Sequence, residues 1–165
     1  MNRLISAATA LLLAWSAHGA SAQDFASRIV GTWRWAGHVY KEVATGRTTH
    51  VFGEQPSGLM AFTTGGRLVY AVFASDRKAP TANPATDAER VALFNLMAAA
   101  TGTYKLDGNT LAITYGGSWN QSWTGTTQTR RIEIVGSRLT LTSPPFKNPQ
   151  TGQETVFVVT YERVE

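Results

Sequence analysis

Arg130 is the residue whose type and position point most directly to chemistry. It lies in a run where Gln128, Arg130, Ile132 and Ile134 occupy alternate positions, so that as a strand they share one face. A guanidinium on the same face as two isoleucines needs a counter-charge, because burying an unpaired charge is costly. The positions that alternation turns inward offer no obvious acid. If Arg130 points inward, a ligand carboxylate or phosphate could supply the missing charge.

The other polar groups expected on inner faces suggest how such a ligand would be held. Arginine can contact a carboxylate or phosphate through two parallel hydrogen bonds, and alternation places Gln128, Tyr104 and Tyr115 where they could assist Arg130. We hypothesise that these four residues bind the polar head of an otherwise apolar ligand. The alternative is that Arg130 lies at the rim of the fold, solvated or stacked on Trp123, because arginine is mostly exposed unless it is paired.

Two tryptophans, Trp119 and Trp123, lie in a glycine-flanked loop that precedes a strand. They could form a lip over the mouth of a ligand cavity, and both are candidate ligand-binding residues for that reason. They could equally plug one end of the core, since tryptophan is highly buried on average but rarely buried completely.

Other kinds of chemistry lack the residues that they require. After residue 22 the chain has two histidines, His38 and His50, with no Asp or Glu at ligand-like spacing, so no metal site is expected. A nucleophile elbow, a phosphate-binding loop and a dinucleotide motif are all absent. We expect no catalytic residue and no cofactor. The competing interpretation is an isomerase or cyclase in which Tyr104, Tyr115 or Arg130 polarises a carbonyl.

Short runs of alternating apolar residues, separated by turn residues, must position these groups. The turns contain Asp-Gly and Gly-Gly pairs, which are hairpin signals because glycine accepts positive φ. This pattern predicts an all-β antiparallel barrel or sandwich, and a barrel of about eight strands can hold one small ligand. Nine strands are predicted, over residues 31–43, 47–53, 58–63, 67–74, 102–106, 110–115, 127–134, 138–142 and 155–163.

One helix is predicted to interrupt the strands, over about residues 86–100. Thr86 and Glu89 have the spacing of a capping box, in which each residue satisfies a backbone N–H of the other. Apolar residues follow around most of the helix circumference, which predicts burial on more than one side. We expect this helix to be a structural cap rather than a mobile lid.

The first strand carries several aromatic residues whose direction depends on regular alternation. Trp33, Trp35 and Val39 share one parity and are expected to face the core. His38 and Tyr40 have the opposite parity, so they are predicted to face outward unless a bulge shifts the register.

The first 22 residues have the layout of a secretory signal peptide. A short basic start precedes a mainly apolar run over residues 4–17, and Ala20-Ser21-Ala22 provides a cleavage site. The apolar run is too short to cross a bilayer, so no membrane anchor is expected. The mature chain, residues 23–165, suits one domain. Its expected location is extracytoplasmic, either periplasmic or secreted.

Composition limits the partners of the mature chain. It has no cysteine, which excludes disulfides and a lipid-bearing N-terminal cysteine. The formal net charge of the whole chain is only +4, and the basic residues are scattered. Nucleic acid recognition expects a basic patch or stripe, so nucleic acid is not an expected partner. The sequence makes no prediction about oligomeric state.

Motifs along the whole mature chain resemble the bacterial lipocalin-like domain family. The chain opens with Gly31-Thr32-Trp33 and closes with Tyr161-Glu162-Arg163, as lipocalin-type barrels do. That resemblance implies that Arg163 packs over Trp33, which is a favourable cation–aromatic contact. The more specific matches are Phe52-Gly53-Glu54, Gly58-Leu59-Met60, Phe62-Thr63, Gly66-Arg67-Leu68, the segment 117–126, Gln128, Arg130-Arg131 and the segment 139–145.

The resemblance implies an antiparallel lipocalin-like β-barrel of about 8–10 strands with one inserted helix, and a plausible binding role. It carries over no catalytic residue. Together with the residues, it predicts an exported, soluble protein that binds a small hydrophobic ligand inside the barrel, and an acidic one if Arg130 faces inward. The alternatives are the isomerase or cyclase described above and a barrel filled by its own side chains that binds no ligand.

Overall fold

The computed structural model describes residues 26–165. The predicted signal peptide, residues 1–22, and the predicted start of the mature chain at residue 23 lie outside the described residues. Residues 26–29 are helical, and the chain then enters a series of antiparallel strands. The elements are β1 Gly31–Glu42, β2 Thr48–His50, β3 Ser57–Phe62, β4 Arg67–Phe73, α1 Asp87–Asn95, β5 Met97–Asp107, β6 Thr110–Ser118, β7 Thr127–Val135, β8 Arg138–Thr142, β9 Phe146–Lys147 and β10 Glu154–Arg163.

Eight of these strands close into a barrel, as the sequence predicted. Neighbouring strands pair in the order β1, β3, β4, β5, β6, β7, β8 and β10, and β10 then pairs with β1. All of these pairings are antiparallel. The two short strands β2 and β9 add to β1 and β10 respectively. A closed ring leaves no unpaired edge among its eight strands.

Alternation along the strands builds the core in the way that the sequence pattern indicates. Leu111 and Ile113 of β6, and Leu139 and Leu141 of β8, are buried, and the residues between them are more exposed. Ile132 of β7 is buried on the same face as Arg130. The strands therefore present a mostly apolar inner face with a few polar groups at defined positions.

Arg163 and Trp33 join the end of the barrel to its beginning, and the expected contact between them is confirmed. The guanidinium carbon of Arg163 lies 4.2 Å from the centre of the Trp33 ring. Arg163 donates hydrogen bonds to the carbonyls of Val30, at 3.0 Å, and of Arg28. The Trp33 indole donates to the carbonyl of Ile29 at 2.7 Å. One arginine thus ties β10 to the segment that leads into β1.

The inserted helix α1 is shorter than predicted. Its capping box is present: Thr86 accepts from the backbone N–H of Glu89 at 3.3 Å, and Glu89 accepts from that of Thr86 at 2.9 Å. The helix ends at Asn95, however, and the expected helical residues from Met97 onward belong to β5. These residues pair with β4, Met97 opposite Phe73. Pairing with an existing strand outweighs the helical preference of an alanine-rich segment.

The predicted burial of this helix is also wrong. No residue of α1 is buried, and Val91 and Phe94 are exposed by 60% and 47%. The apolar residues are distributed around a helix of only nine residues, so they do not form one stripe that the barrel could cover. The helix lies on the barrel and does not form part of its core.

Candidate functional site

The barrel contains a cavity of about 520 Å³ that is partly open to solvent. Its walls come from the inner faces of β1, β3, β4, β6, β7, β8 and β10, so it is the interior of the barrel itself. Aromatic side chains dominate the lining and aliphatic ones fill most of the rest. The lining residues are Trp35, His38, Tyr40, Met60, Tyr70, Ile113, Tyr115, Trp123, Gln128, Thr129, Arg130, Leu141, Ser143, Pro144, Pro145, Phe146, Phe157, Val159 and Tyr161.

Arg130 faces this cavity from the middle of β7 and is 7% exposed. Its guanidinium stacks on Phe157, with 4.4 Å between the guanidinium carbon and the ring centre. It donates to the Thr129 carbonyl at 2.6 Å and to the side-chain oxygen of Gln128. Within residues 26–165 no carboxylate pairs with it. Arg130 is therefore a buried cation whose counter-charge the described part of the chain does not supply.

Three tyrosines surround Arg130 without neutralising it. Burial raises the pKa of Tyr70, Tyr115 and Tyr161, and the charge of Arg130 only partly opposes that effect. All three hydroxyls therefore stay protonated and uncharged at neutral pH. Burial lowers the pKa of Arg130, with the neighbouring tyrosines acting in the opposite direction, but arginine remains charged under all ordinary conditions. The site keeps one positive charge.

His38 is a second polar group in the cavity, and regular alternation placed it on the wrong side. The pairing of β1 with β10 shifts register between Trp35 and Gly37. This β-bulge reverses the parity of the residues that follow, so Trp35, His38 and Tyr40 all line the cavity. The expectation that His38 and Tyr40 face outward is thus wrong, because β1 contains the bulge that the prediction named as its exception. Gly37 was the available signal, because an isolated glycine in a strand often marks a bulge.

The imidazole of His38 has no hydrogen-bond partner among the described residues. Both of its ring nitrogens are buried and unpaired. The rings of Phe52 and Phe157 lie 5.4 and 5.6 Å from its centre. Burial, and after it the positive charge of Arg130, lowers the pKa of His38 from 6.5 to about 4. The imidazole is consequently neutral at pH 7, with one nitrogen able to donate and the other able to accept.

Four of the six residues predicted to bind ligand lie together on the cavity wall. These are Tyr115, Trp123, Gln128 and Arg130. Their inward direction follows from strand alternation for all but Trp123. Trp123 packs against Tyr115 at 5.6 Å between ring centres, and this contact brings it into the wall.

The other two predicted residues, Tyr104 and Trp119, are not among the lining residues. The Tyr104 hydroxyl donates to the Thr63 carbonyl at 2.8 Å, and its ring packs edge-on against Phe62 at 5.1 Å. Trp119 lies between Phe94 of α1, at 5.5 Å, and Trp123, at 6.2 Å. Trp119 thus contacts a cavity-lining residue without lining the cavity itself.

The remaining kinds of site find no support in the described residues. Over residues 26–165 no three His, Asp or Glu side chains gather where they could hold a metal ion. No helix in the same range is long and apolar enough to span a membrane.

A closed antiparallel barrel around one internal cavity defines the lipocalin type of protein. Residues 30–164 match the family described as the lipocalin-like domain, and the chain belongs to that family. No curated protein sequence matches it at a significant level.

Two solved structures illustrate the similarity. One is a lipocalin-like protein from Bacteroides uniformis that is 17% identical, with 78% of this chain and 96% of that chain covered and a TM-score of 0.41. The other is an uncharacterized protein from Bacteroides eggerthii that is 16% identical, with 79% and 98% covered and a TM-score of 0.39.

Proposed function

We propose that this protein binds a small, mostly apolar molecule with one acidic group inside its barrel. The observation that carries the proposal is Arg130, a buried cation that faces the cavity without a carboxylate partner. Removal of a charge from water is costly unless an opposite charge and hydrogen bonds replace the lost hydration. An acidic ligand would provide both.

The surroundings of Arg130 suit a bidentate contact with an anion. The stack on Phe157 supports one flat face of the guanidinium. The bonds to Thr129 and Gln128 occupy two donors, and a guanidinium has five in a planar fork. Donors thus remain for a carboxylate, whose geometry matches that fork. Because Gln128 and Thr129 already hold the guanidinium in place, ligand binding loses little conformational entropy at the Arg130 side chain.

The remaining walls would bind the apolar body of the ligand. A volume of about 520 Å³ falls within the range of roughly 300–1,000 Å³ that is usual for small-molecule pockets. Aromatic and aliphatic side chains would exclude water from the ligand, and the polar groups would fix its orientation. A cavity of this size disfavours the alternative of a barrel filled by its own side chains.

We also propose that the protein acts outside the cytoplasm. The sequence of residues 1–22 supports this, since it combines a basic start, a short apolar run and a small-residue cleavage site. The chain has no cysteine, so in that setting the barrel would be stabilised without disulfides.

The test compares an acid with a neutral molecule of the same shape. We expect calorimetric titration to show that 2-naphthoate binds the wild-type protein more tightly than 2-naphthamide does. In Arg130→Gln the preference for the acid should fall by about 10-fold or more, since hydrogen bonds to a charged group contribute about 1.5–3 kcal/mol.

Arg131→Gln is the matched control. Arg131 is the next residue on the same strand and is exposed on the opposite face, so this variant should keep the wild-type preference for the acid. Equal affinity of the wild type for the acid and the amide would overturn the proposal. So would a preference for the acid that survives in Arg130→Gln.

A further inference from the structure

The cavity has a second point of polar recognition, separate from Arg130. The Phe157 ring contacts both groups: the Arg130 guanidinium stacks on it at 4.4 Å, and the His38 ring lies 5.6 Å from it. The ring thus connects a charged position and a neutral position that both face the same space. A ligand long enough to extend along Phe157 would reach both.

His38 requires a partner that the described residues do not provide. A buried polar atom without a hydrogen bond costs about 1–3 kcal/mol, and both imidazole nitrogens are buried and unpaired. The Phe52 and Phe157 rings against the imidazole offer no conventional donor or acceptor. The space on the cavity side is where a partner would have to lie.

A hydroxyl group is the ligand chemistry that fits this position best. It can donate to an unprotonated ring nitrogen or accept from a protonated one, so it suits either tautomer of the imidazole. A ligand ammonium would be repelled by the nearby charge of Arg130. A second carboxylate would favour an imidazolium, which burial and Arg130 both oppose. The partner of His38 is therefore an uncharged hydrogen-bonding group, and a hydroxyl is the simplest of these.

The walls between the two positions favour a planar ligand body. Eight of the lining residues are Phe, Tyr or Trp, and aromatic rings pack against one another in offset or edge-to-face arrangements that contribute beyond the area they bury. Trp35, for example, packs edge-on against Tyr161 at 4.7 Å and lies 5.7 Å from Tyr70. A fused or extended aromatic ring system could continue this packing.

We propose that the ligand class is a hydroxylated aromatic carboxylic acid, with its carboxylate on Arg130 and its hydroxyl on His38. This inference rests on the function proposed above, since the carboxylate position is the same. It adds the aromatic body, the hydroxyl and the residue that recognises the hydroxyl. His38 is thereby a specificity-determining residue.

The experiment measures how much a hydroxyl improves binding. Calorimetric dissociation constants are compared for 2-naphthoate and for its 6-hydroxy and 7-hydroxy derivatives, and the better derivative is used. We expect the hydroxyl to tighten binding to the wild type by about 5-fold, which corresponds to one neutral hydrogen bond. In His38→Phe the gain should disappear, so that 2-naphthoate and its hydroxy derivative bind this variant with equal affinity. The exposed His50 provides the control, because His50→Phe should keep the full gain.

A second measurement needs no substitution. The ring-nitrogen chemical shifts of His38, recorded by NMR, should move when the hydroxynaphthoate binds and move much less with 2-naphthoate. An unchanged His38 signal on saturation with the hydroxynaphthoate would overturn the inference even if His38→Phe failed to fold.

The outcomes separate this inference from the proposed function. Arg130-dependent binding of 2-naphthoate with no gain from either hydroxyl would refute the role of His38 and leave acid binding standing. A gain that persists in His38→Phe would mean that the hydroxyl is recognised elsewhere, and would also refute it. If neither acid binds more tightly than 2-naphthamide, both proposals fall.

Discussion

Two residues give the barrel interior its chemical character, and they differ in kind. Arg130 provides a fixed positive charge on β7, whereas His38 is a neutral imidazole on β1. Within residues 26–165, Arg130 has no carboxylate partner, although it donates to Thr129 and Gln128, and His38 has no hydrogen-bond partner. Buried polar groups of this type reduce the free energy of unfolding unless a partner is present. Their presence is better explained by binding than by folding.

His38 should make the stability of the protein depend on pH. Its pKa is about 4 in the folded protein and 6.5 in an unperturbed side chain, so between these values the unfolded state binds more protons. The free energy of unfolding should be constant with respect to this group above pH 6.5 and fall as the pH drops toward 4. A shift of this size corresponds to about 3 kcal/mol across the window.

The measurement is urea unfolding at several pH values for the wild type and His38→Gln. The difference in the free energy of unfolding between the two proteins isolates the effect of His38 from that of the carboxylates, which titrate in a neighbouring pH range. The groups that face His38 are the charged Arg130 and the aromatic side chains of Trp35, Tyr40, Phe52 and Phe157. His50→Gln should keep the wild-type pH profile, and a His38→Gln profile parallel to the wild type would contradict the prediction.

The strands of the barrel, and most of the site, could be predicted from the sequence because alternation is a local property. Arg130, Gln128 and Tyr115 face inward for the same reason that Ile132 does. The predicted direction of His38 was wrong, because the bulge before Gly37 depends on how β1 pairs with β10. The end of α1 was misjudged because β4 recruits Met97 into the sheet. Both errors come from partners that are distant in sequence.

Closure of the barrel also depends on a contact between distant elements. Arg163 at the end of β10 stacks on Trp33 and donates to two backbone carbonyls that precede β1. Lysine keeps the charge but cannot reproduce the planar fork. We expect Arg163→Lys to lower the free energy of unfolding by about 1–2 kcal/mol, through the lost hydrogen bonds and the weaker stack.

Urea unfolding monitored by circular dichroism measures this effect. Arg138→Lys is the control: Arg138 pairs with Glu162 at 3.0 Å but is largely exposed, so its substitution should change the free energy of unfolding by less than about 0.5 kcal/mol. Equal stability of Arg163→Lys and the wild type would show that the contact does not hold the barrel closed.

At the scale of the whole molecule, we propose a single barrel that binds its ligand outside the cytoplasm. Native mass spectrometry of the protein from its host's extracytoplasmic fraction should find a chain that begins at Gln23. It should also find an additional mass that is lost on denaturation. A full-length chain confined to the cytoplasm would contradict the location. A bare mature chain would favour an occupant that leaves readily, such as the product of a reaction.

The position of the tryptophans gives the barrel a built-in optical signal. Trp35 and Trp123 line the cavity, whereas Trp33 is fully buried in the core beneath Arg163 and is not among the lining residues. An aromatic occupant whose absorption overlaps indole emission would accept energy from both of them, and also from the more distant Trp33 and Trp119, because such transfer acts across the whole width of a barrel. Occupancy would then be visible as quenched intrinsic fluorescence, with no label attached.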